Sequence, residues 1–314
     1  MQIFYNIEQI PMLTKPIATV GIFDGVHCGH QEIFRQMKNL AKKPNQKTVA
    51  ITFEPHPRIV LNNNNKEKIK FINVLEKKIE RIALSGIDYL LILPFTPKFA
   101  ALSPEEFVRE YLVDRLHIGT LVIGYDHHFG TSRSGDYHEM ERLGDKYDFS
   151  VVEVGEVCCD GEVVSSTKIR EALKEGEIEI ANKYLGYSYS ITGKVVHGNK
   201  LGRKLGFPTA NIILPDQYKL IAANGVYACY VLVAGKWYEG MGNIGFRPTI
   251  EKSLLTIEVN IFNFDKEIYG ETITIAFVKR IRNEIKFPDI EQLKQQLKQD
   301  RKCVQTFLTV SLDE

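Results

Sequence analysis

Apolar residues in the first half of the chain alternate between short continuous runs and stretches with helical spacing. The continuous runs predict four buried strands, Ile17–Phe23, Thr48–Phe53, Tyr89–Pro94 and Thr120–Gly124. Between them apolar residues recur three and four positions apart, which predicts helices at His30–Lys42, Val74–Ser85 and Pro104–Leu112. Strands that alternate with helices in this way favour a parallel sheet with helices packed on both faces.

Beyond about residue 186 the pattern changes to short strand-like runs separated by turn residues. These runs predict an antiparallel barrel built from Tyr187–Val196, Ala210–Leu214, Gly225–Val233, Lys236–Gly242, Thr256–Phe264 and Glu271–Arg282. The closing stretch Asp289–Phe307 has helical apolar spacing and follows Pro288, which predicts a C-terminal helix. We place the domain boundary between Leu185 and Gly186, so the predicted domains are 1–185 and 186–314.

The chain has 314 residues, a length at which one hydrophobic core usually divides into domains. Its 40 basic and 39 acidic residues give a net charge of +1, so charge supplies no reason to expect nucleic acid or an anionic membrane as a partner. Five cysteines without C-x-x-C spacing indicate neither a disulfide framework nor a zinc site. Because neither a signal peptide nor a membrane-spanning run is apparent, we expect a cytoplasmic protein; its oligomeric state is left open.

The segment Gly21–His30 carries the strongest chemical signal in the chain. A predicted strand runs into a glycine-rich turn that holds His27 and His30, and a helical pattern follows. The free amides at a helix N-terminus attract phosphate, and glycines let a polyanion approach the backbone closely. Two imidazoles beside such a site can donate hydrogen bonds to phosphate oxygens. We therefore predict a nucleotide site; the alternative is a strand-turn-helix corner with two surface histidines.

The glycine spacing of this segment fits neither the dinucleotide fingerprint G-x-G-x-x-G nor the P-loop motif. It resembles the H-x-G-H signature of the nucleotidyltransferase superfamily. More narrowly, it resembles the motif G-x-F-D-G-x-H-x-G-H in the adenylyltransferase half of bacterial bifunctional riboflavin kinase/FMN adenylyltransferases (FAD synthetases). The resemblance implies that the phosphate of FMN attacks the α-phosphorus of ATP, with His27 and His30 as catalytic residues and Mg²⁺ accompanying the nucleotide. It also implies ATP contacts from Gly21, Phe23, Asp24 and Gly29.

Two further segments resemble motifs of the same half of that family. The segment Gly124–Gly130 resembles its flavin-binding loop G-x-[ND]-x-x-F-G, which implies flavin contacts from Asp126, Phe129 and Gly130. Asp126 stands where many relatives carry asparagine, so it can accept a hydrogen bond from the flavin but cannot donate one. The segment Ser165–Arg170 matches S-S-T-x-I-R, which implies ATP binding by Ser166, Thr167, Lys168 and Arg170. In isolation the two segments would be an exposed turn and an ordinary helix N-cap.

The segment Gly193–Asn211, rich in glycine and lysine, resembles the riboflavin kinase signature of the family, including P-T-A-N at residues 208–211. The resemblance implies that ATP is bound by Gly198, Lys200, Gly206, Thr209 and Asn211, the last two also as metal ligands. It makes Glu258, in a T-x-E-x-x context, the base for riboflavin phosphorylation. From strand alternation alone an outward-facing Glu258 is favoured, and Gly193–Asn211 would be a basic hairpin loop. A further family-like segment, Gly242–Thr249, is either scaffold or substrate loop.

These resemblances imply a Rossmann-like α/β nucleotidyltransferase domain followed by an antiparallel β-barrel riboflavin kinase domain with a C-terminal helix. They imply a bifunctional enzyme that phosphorylates riboflavin to FMN with ATP and then adenylylates FMN to FAD, releasing pyrophosphate. Riboflavin, FMN and ATP are then its partners and Mg²⁺ its cofactor. Two alternatives are a two-domain protein with one surviving activity and a flavin-binding regulator without turnover.

Overall fold

The computed structural model of the chain describes residues 1–41, 46–61, 69–125, 137–198, 201–248 and 253–310. Within these ranges the chain forms two units, Met1–Ser166 and Thr167–Glu314. The helix Ser166–Glu175 therefore begins at the last residue of the first unit and continues into the second. The boundary between Leu185 and Gly186 stays a prediction.

The first unit is built on a parallel six-stranded sheet with the order β1-β4-β3-β2-β5-β6. The strands are β1 (Gln2–Phe4), β2 (Ile17–Val20), β3 (Thr48–Glu54), β4 (Tyr89–Pro94), β5 (Thr120–Gly124) and β6 (Ser150–Val154). The helices are α1 (Cys28–Leu40), α2 (Pro57–Leu61), α3 (Leu75–Leu84), α4 (Pro97–Ala100), α5 (Pro104–Phe107) and α6 (Tyr137–Tyr147). Shorter elements are a 3₁₀ turn at Ile7–Gln9, a π-helical stretch at Val108–Val113, and the hairpin β7 (Cys158–Cys159) and β8 (Glu162–Val163).

The strand order places a topological switch between β2 and β5. From β2 the chain moves outward to β3 and β4, and it then returns to the other side of β2 to form β5 and β6. In parallel sheets with this arrangement, ligands bind beyond the carboxyl ends of the strands at the switch. The segment Gly21–His30 follows β2 and therefore lies at the expected end of the sheet.

Both faces of the sheet are covered, which confirms the predicted α/β architecture. On β2, Ala18 and Val20 belong to one hydrophobic core, whereas Ile17 belongs to the core on the other face. This alternation follows from the two-residue period of a strand. Phe34 and Met37 of α1 fill the second core and are fully buried.

The predicted central strands are present, but their ends and the sheet edges differ from the prediction. Strand β2 ends at Val20 rather than Phe23, because Phe23 has a φ of +51° and cannot continue a strand. Helix α1 begins at Cys28, two residues before the predicted start. The edge strands β1 and β6 were not predicted: β1 has three residues, and β6 is largely exposed or half-buried.

The second unit is a closed antiparallel barrel with the order β10-β13-β12-β11-β14-β9, which confirms the predicted barrel. Its strands are β9 (Ser190–Val196), β10 (Ala210–Ile213), β11 (Gly225–Val233), β12 (Lys236–Pro248), β13 (Ser253–Ile261) and β14 (Thr272–Arg282). Its helices are α7 (Ser166–Glu175), α8 (Ile178–Leu185), α9 (Leu201–Leu205) and α10 (Ile290–Val310). Because β12 runs to Pro248, the segment from Gly242 to that residue is strand and not loop.

The C-terminal helix α10 packs against the barrel. Val304 and Leu308 of this helix are fully buried in a core with Val226 and Met241 from the barrel. Among the helices of the described ranges, none combines the length and apolar content that crossing a membrane requires.

Candidate active sites

The turn between β2 and α1 has an unusual backbone. Phe23 and Val26 have φ angles of +51° and +42°, and Gly25 between them has +85°. Left-handed φ values are unfavourable for phenylalanine and valine, and such residues concentrate at functional sites. Both side chains are buried in the core under α1, which offsets that cost. The turn thus holds the start of α1 in one conformation.

The two motif histidines lie together at the start of α1. His27 is the N-cap residue of this helix, and its ring is stacked on that of His30 with 3.7 Å between ring centroids. The rings of Phe23 and His30 are nearly perpendicular, with 5.3 Å between centroids. His27 is buried and His30 half-buried. The first-turn amides of a helix have no intrahelical acceptors, so imidazoles and amides here form a site suited to phosphate.

The motif glycines make room for aromatic rings. A Cβ on Gly29 would lie 3.2 Å from two atoms of the His27 imidazole, and a Cβ on Gly21 would lie 2.7 Å from the Phe23 ring. A side chain at either position would therefore displace the ring that it meets. This packing favours glycine at both positions, Gly21 directly after β2 and Gly29 in the first turn of α1.

Asp24 links the turn by hydrogen bonds to the segment that precedes α3. Its buried carboxylate accepts hydrogen bonds from the backbone amides of Ile72 and Asn73, at 2.9 and 3.2 Å. Its backbone carbonyl accepts a hydrogen bond of 2.9 Å from the hydroxyl of Ser166. Two separately predicted motifs, the histidine turn and the serine-rich segment, therefore meet at Asp24.

Lys78 is a buried cation beside this turn that the sequence analysis missed. Its side chain is 4% exposed, and its Nζ lies 3.5 Å from Thr52 Oγ1 on β3. Burial lowers the pKa of Lys78, and the nearby carboxylates of Asp24 and Glu54 oppose that shift. In the sequence Lys78 sits in a charged helical stretch next to Lys77, so no local signal separates it from a surface lysine.

The other residues predicted for the first site lie in α7 or outside the described residues. In α7, Thr167 is exposed, Lys168 and Arg170 are half-buried, and Arg170 Nη2 donates to Thr167 Oγ1 at 3.3 Å. The flavin-loop residues Asp126, Phe129 and Gly130 lie outside the described residues, and so does Lys200 of the kinase segment.

In the second unit, the structure brings Thr209, Asn211 and Glu258 together. Glu258 lies opposite Asn211 of β10 and, on its other side, opposite Asn243 of β12. Thr209 Oγ1 donates a hydrogen bond of 3.0 Å to Glu258 Oε2. A hydroxyl, amides and a carboxylate thus converge from three neighbouring strands and the residue before β10.

These residues lie on the walls of two cavities. The first, of about 330 Å³, is bounded by barrel strands and α10 and is called here the α10 cavity. The second, of about 530 Å³, is bounded by the loop Asp265–Tyr269 and is called the loop cavity. Thr209 lines both cavities, whereas Asn211 and Glu258 line the α10 cavity.

Both cavities combine apolar and charged side chains. The α10 cavity has charged side chains from Glu258, Arg282 and Glu284. The apolar part of its wall is formed by Leu205, Phe207, Val226, Met241, Ile285, Phe287, Leu293 and Leu297. The loop cavity has charged side chains from Arg203, Asp265, Lys266 and Glu267. Its apolar wall includes Val195, Val259, Ile261, Phe264 and Ile268. Arg203 and Glu267 form an exposed ion pair at 3.4 Å, and the ring of Tyr269 packs on that of His197 with 3.9 Å between centroids.

The kinase-segment glycines have distinct structural roles. A Cβ on Gly198 would collide with the side-chain amide of Asn211, so glycine lets that amide lie against the backbone. Gly206 has a φ of +83°, which glycine adopts without strain, at the end of α9. Two side chains of the α10 cavity, Asn243 and Asn260, were not predicted. Asn260 could have been found, because it lies two residues from Glu258 and therefore on the same strand face.

The side chains of the kinase site offer oxygen atoms that suit a divalent metal ion. Within the described ranges, no group of three or more His, Cys, Asp or Glu side chains is placed to hold a metal ion. Thr209, Asn211 and Glu258 instead present hydroxyl, amide and carboxylate oxygens. Mg²⁺ in phosphoryl-transfer sites is commonly held by one or two protein oxygens together with the phosphates of the nucleotide. The donor set fits that mode of binding.

Comparison with known proteins assigns each half of the chain to a family. Residues 10–168 match the family described as FAD synthetase, and residues 185–308 match the family described as riboflavin kinase. A bifunctional riboflavin kinase/FMN adenylyltransferase of Listeria monocytogenes is 40% identical over 292 residues, which cover 93% of this chain and 92% of the relative. The enzyme of the same name from Escherichia coli K12 is 35% identical over 304 residues, 96% of each chain.

A solved structure also resembles the whole chain. It is that of a protein from Streptococcus pneumoniae named as a macrolide-efflux protein, with 32% sequence identity and a TM-score of 0.89. The similarity covers 96% of this chain and 98% of that protein. The two proteins therefore share their fold over nearly their full lengths.

Proposed function

We propose a division of labour between the two sites of this chain, which belongs to the family of bifunctional riboflavin kinase/FMN adenylyltransferases. The enzyme phosphorylates riboflavin to FMN with ATP, and it transfers an adenylyl group from ATP to FMN to give FAD and pyrophosphate. The proposal concerns which residues perform each reaction. The observation that carries it is the hydrogen bond between Thr209 and Glu258, because Thr209 lines both cavities of the barrel.

In the kinase site, riboflavin occupies the α10 cavity and ATP the loop cavity. Phe207 and Phe287 in the wall of the α10 cavity suit the flat isoalloxazine ring, and the cations Arg203 and Lys266 in the wall of the loop cavity suit the phosphates of a nucleotide. The two substrates then meet at Thr209. Gly198, Lys200 and Gly206 belong to the ATP-binding segment in this proposal, with Lys200 contributing positive charge to the phosphates.

Glu258 is the general base of phosphorylation. Its carboxylate accepts the proton of the ribityl hydroxyl while that oxygen attacks the γ-phosphorus of ATP, and the bond to the bridging oxygen breaks to release ADP. The hydrogen bond from Thr209 orients the carboxylate. Thr209 and Asn211 hold Mg²⁺, which supplies neutralisation of phosphate charge when it is bound with ATP.

In the adenylyltransferase site, a phosphate oxygen of FMN attacks the α-phosphorus of ATP and pyrophosphate leaves. No covalent intermediate with the enzyme is needed, so catalysis consists of positioning and charge stabilisation. His27 and His30 donate hydrogen bonds to phosphate oxygens as charge develops, beside the first-turn amides of α1. Ser166, Thr167, Lys168 and Arg170 bind the triphosphate, and Asp126, Phe129 and Gly130 bind the flavin, as the family motifs imply.

The cellular setting follows from the same chemistry. We propose Mg²⁺ as the metal of both reactions and the cytoplasm as the location of the enzyme. All five cysteines are free thiols, which fits a reducing compartment.

Two variants test the division of labour in opposite directions. Glu258→Gln keeps the shape of the side chain and removes its basicity, so FMN formation from riboflavin should fall by about 10²–10⁴-fold. FAD formation from supplied FMN should be unchanged. The double variant His27→Ala/His30→Ala should show the reverse, with FAD formation lost and FMN still accumulating. Both reactions are followed by chromatographic separation of the flavins after incubation with ATP and Mg²⁺.

Each variant serves as the folding control for the other reaction. Kinase turnover of Glu258→Gln within a few-fold of the parent enzyme would contradict its role as base. Undiminished FAD synthesis in the histidine double variant would contradict the assignment of the first site.

A further inference from the structure

We propose that Asn260 determines substrate specificity in the kinase site, because its side-chain oxygen accepts a hydrogen bond from a secondary hydroxyl of the ribityl chain of the flavin. The inference rests on the proposed placement of riboflavin in the α10 cavity and deepens it. In this proposal Asn260 recognises the ribityl chain of riboflavin and not its isoalloxazine ring.

Asn260 shares a strand face with the proposed base. It lies on β13 two residues after Glu258, and side chains two residues apart on a strand point to the same side. Both residues line the α10 cavity. Asn260 is 4% exposed, so its amide is removed from solvent except through that cavity.

The orientation of the Asn260 amide is determined by its neighbour. Its Nδ2 donates a hydrogen bond of 2.6 Å to the backbone carbonyl of Pro208. A carbonyl oxygen can only accept, so the NH₂ group must face Pro208 and Oδ1 must face away from it. The same contact anchors the residue that directly precedes Thr209.

The Oδ1 atom of Asn260 is buried and has no hydrogen-bond partner among the residues that the structure describes. Leaving a buried acceptor unpaired costs free energy. A donor on a bound substrate would pair with Oδ1 and remove that cost. Two strong donors on the cavity wall are already engaged. Thr209 donates to Glu258, and Arg282 donates to Asp300 and to the carbonyl of Asn283.

The ribityl chain offers donors at a suitable spacing. Residues two apart on a strand are separated by about 7 Å along its axis. A hydrogen bond at each end spans about 2.7 Å, so two hydroxyls a few carbon atoms apart can reach both side chains. When the reacting hydroxyl lies at Glu258, a secondary hydroxyl of the same polyol can therefore donate to Asn260 Oδ1.

The expected consequence is discrimination against flavins that lack that hydroxyl. A site built to bind a substrate hydroxyl rejects an analogue without it, because its own polar group is then left unpaired. The effect on kcat/KM of removing one ribityl hydroxyl should therefore depend on whether the Asn260 Oδ1 atom is present.

The experiment measures kcat/KM of the full-length enzyme for riboflavin and for its 2′-, 3′- and 4′-deoxy analogues. The parent enzyme should lose about 10- to 100-fold on one analogue relative to riboflavin. Asn260→Leu, which has similar size and no acceptor, should be lower on riboflavin by a similar factor and should not distinguish that analogue from riboflavin. Asn260→Asp keeps an acceptor but loses the donor to Pro208, so it should retain the discrimination even if turnover falls.

A purely structural role for Asn260 predicts a different result. If the amide only anchors Pro208, both variants lower kcat/KM for all four flavins by the same factor, and this result would overturn the proposal. Equal kcat/KM of the parent enzyme for riboflavin and all three analogues would also overturn it, whether or not Asn260→Leu folds. FAD formation from FMN and thermal unfolding with and without ADP report folding of the two units.

The same assay separates failure of this inference from failure of the proposed site. If the proposed kinase site with Glu258 as base is wrong, Glu258→Gln keeps its kinase activity. If only the role of Asn260 is wrong, Glu258→Gln loses kinase activity while the coupling with the deoxy analogues is absent.

Discussion

Gly29 shows how a single residue controls the geometry of the first site. The imidazole of His27 packs both against the backbone of Gly29 and on the ring of His30. A methyl group at Gly29 would lie 3.2 Å from the His27 ring, closer than the separation at which carbon atoms attract. Glycine between the histidines of the H-x-G-H motif therefore has a packing advantage, beyond any contact with phosphate.

We expect Gly29→Ala to lower FAD formation from FMN by roughly 10-fold, because a displaced His27 no longer meets the reacting phosphate well. Stability should change little, since the preference of a helix for alanine over glycine, at most about 1 kcal/mol, offsets the cost of displacing the ring. Steady-state kinetics of both reactions check this expectation. Gly155→Ala is the matched control, because a Cβ at Gly155 has no heavy atom within 4 Å outside its chain neighbours. An unchanged Gly29→Ala enzyme would contradict the argument.

At the scale of elements, an ion pair between half-buried Arg282 and buried Asp300 joins α10 to the barrel. Arg282 of β14 holds Asp300 of α10 through hydrogen bonds of 3.0 Å from Nε and 2.7 Å from Nη2. The two side chains are 17% and 2% exposed. Gln296 on the preceding turn of α10 also donates to Asp300, at 2.9 Å. Because Arg282 also lines the α10 cavity, this pair connects helix docking with the proposed flavin pocket.

We expect Asp300→Ala to destabilise the barrel by about 3 kcal/mol, because it leaves the half-buried Arg282 charge without its carboxylate partner. The KM for riboflavin should rise as well. Urea unfolding followed by the fluorescence of Trp237 checks the first effect, since this is the one tryptophan of the chain and lies on β12. Glu179→Gln removes an exposed pair with Lys279 as control and should cost less than about 1 kcal/mol. Equal losses for the two variants would refute the distinction.

At the scale of the whole molecule, α8 packs with the barrel. Its side chains Ile178, Ala181 and Leu185 are buried. Asn182 donates to the carbonyl of Phe277 at 2.8 Å and accepts from the amide of Tyr189 at 2.7 Å. A kinase fragment that begins after this helix loses all of these contacts.

We therefore expect a fragment of residues 167–314 to fold and to phosphorylate riboflavin, and a fragment of residues 186–314 to be markedly less stable. Each buried Ile or Leu side chain of α8 contributes about 1.5–3 kcal/mol. Trp237 fluorescence in urea compares the two fragments, and FMN formation reports whether each is active. Equal stability of the two fragments would show that α8 is dispensable for the barrel.

The sequence alone determined the fold class, the order of the two families and the main motifs. Continuous apolar runs predict central strands such as β3 and β4 because both faces of those strands are buried, and burial shows in composition. The histidine motif could be read because its residues are neighbours on one turn. The edge strands β1 and β6 were not predicted, because a short or half-exposed strand has no comparable run of apolar residues.

Only the tertiary structure decided which distant residues meet. Thr209 and Glu258 are 49 residues apart, and their hydrogen bond depends on the pairing of β10 with β13 in the closed barrel. Asn260 reaches Pro208 through the same pairing, and Lys78 becomes buried because α3 packs beside the turn after β2. The physical reason is that the two-residue period of a strand determines which face a side chain lies on. Its neighbour on that face depends on which strands pair in the folded domain.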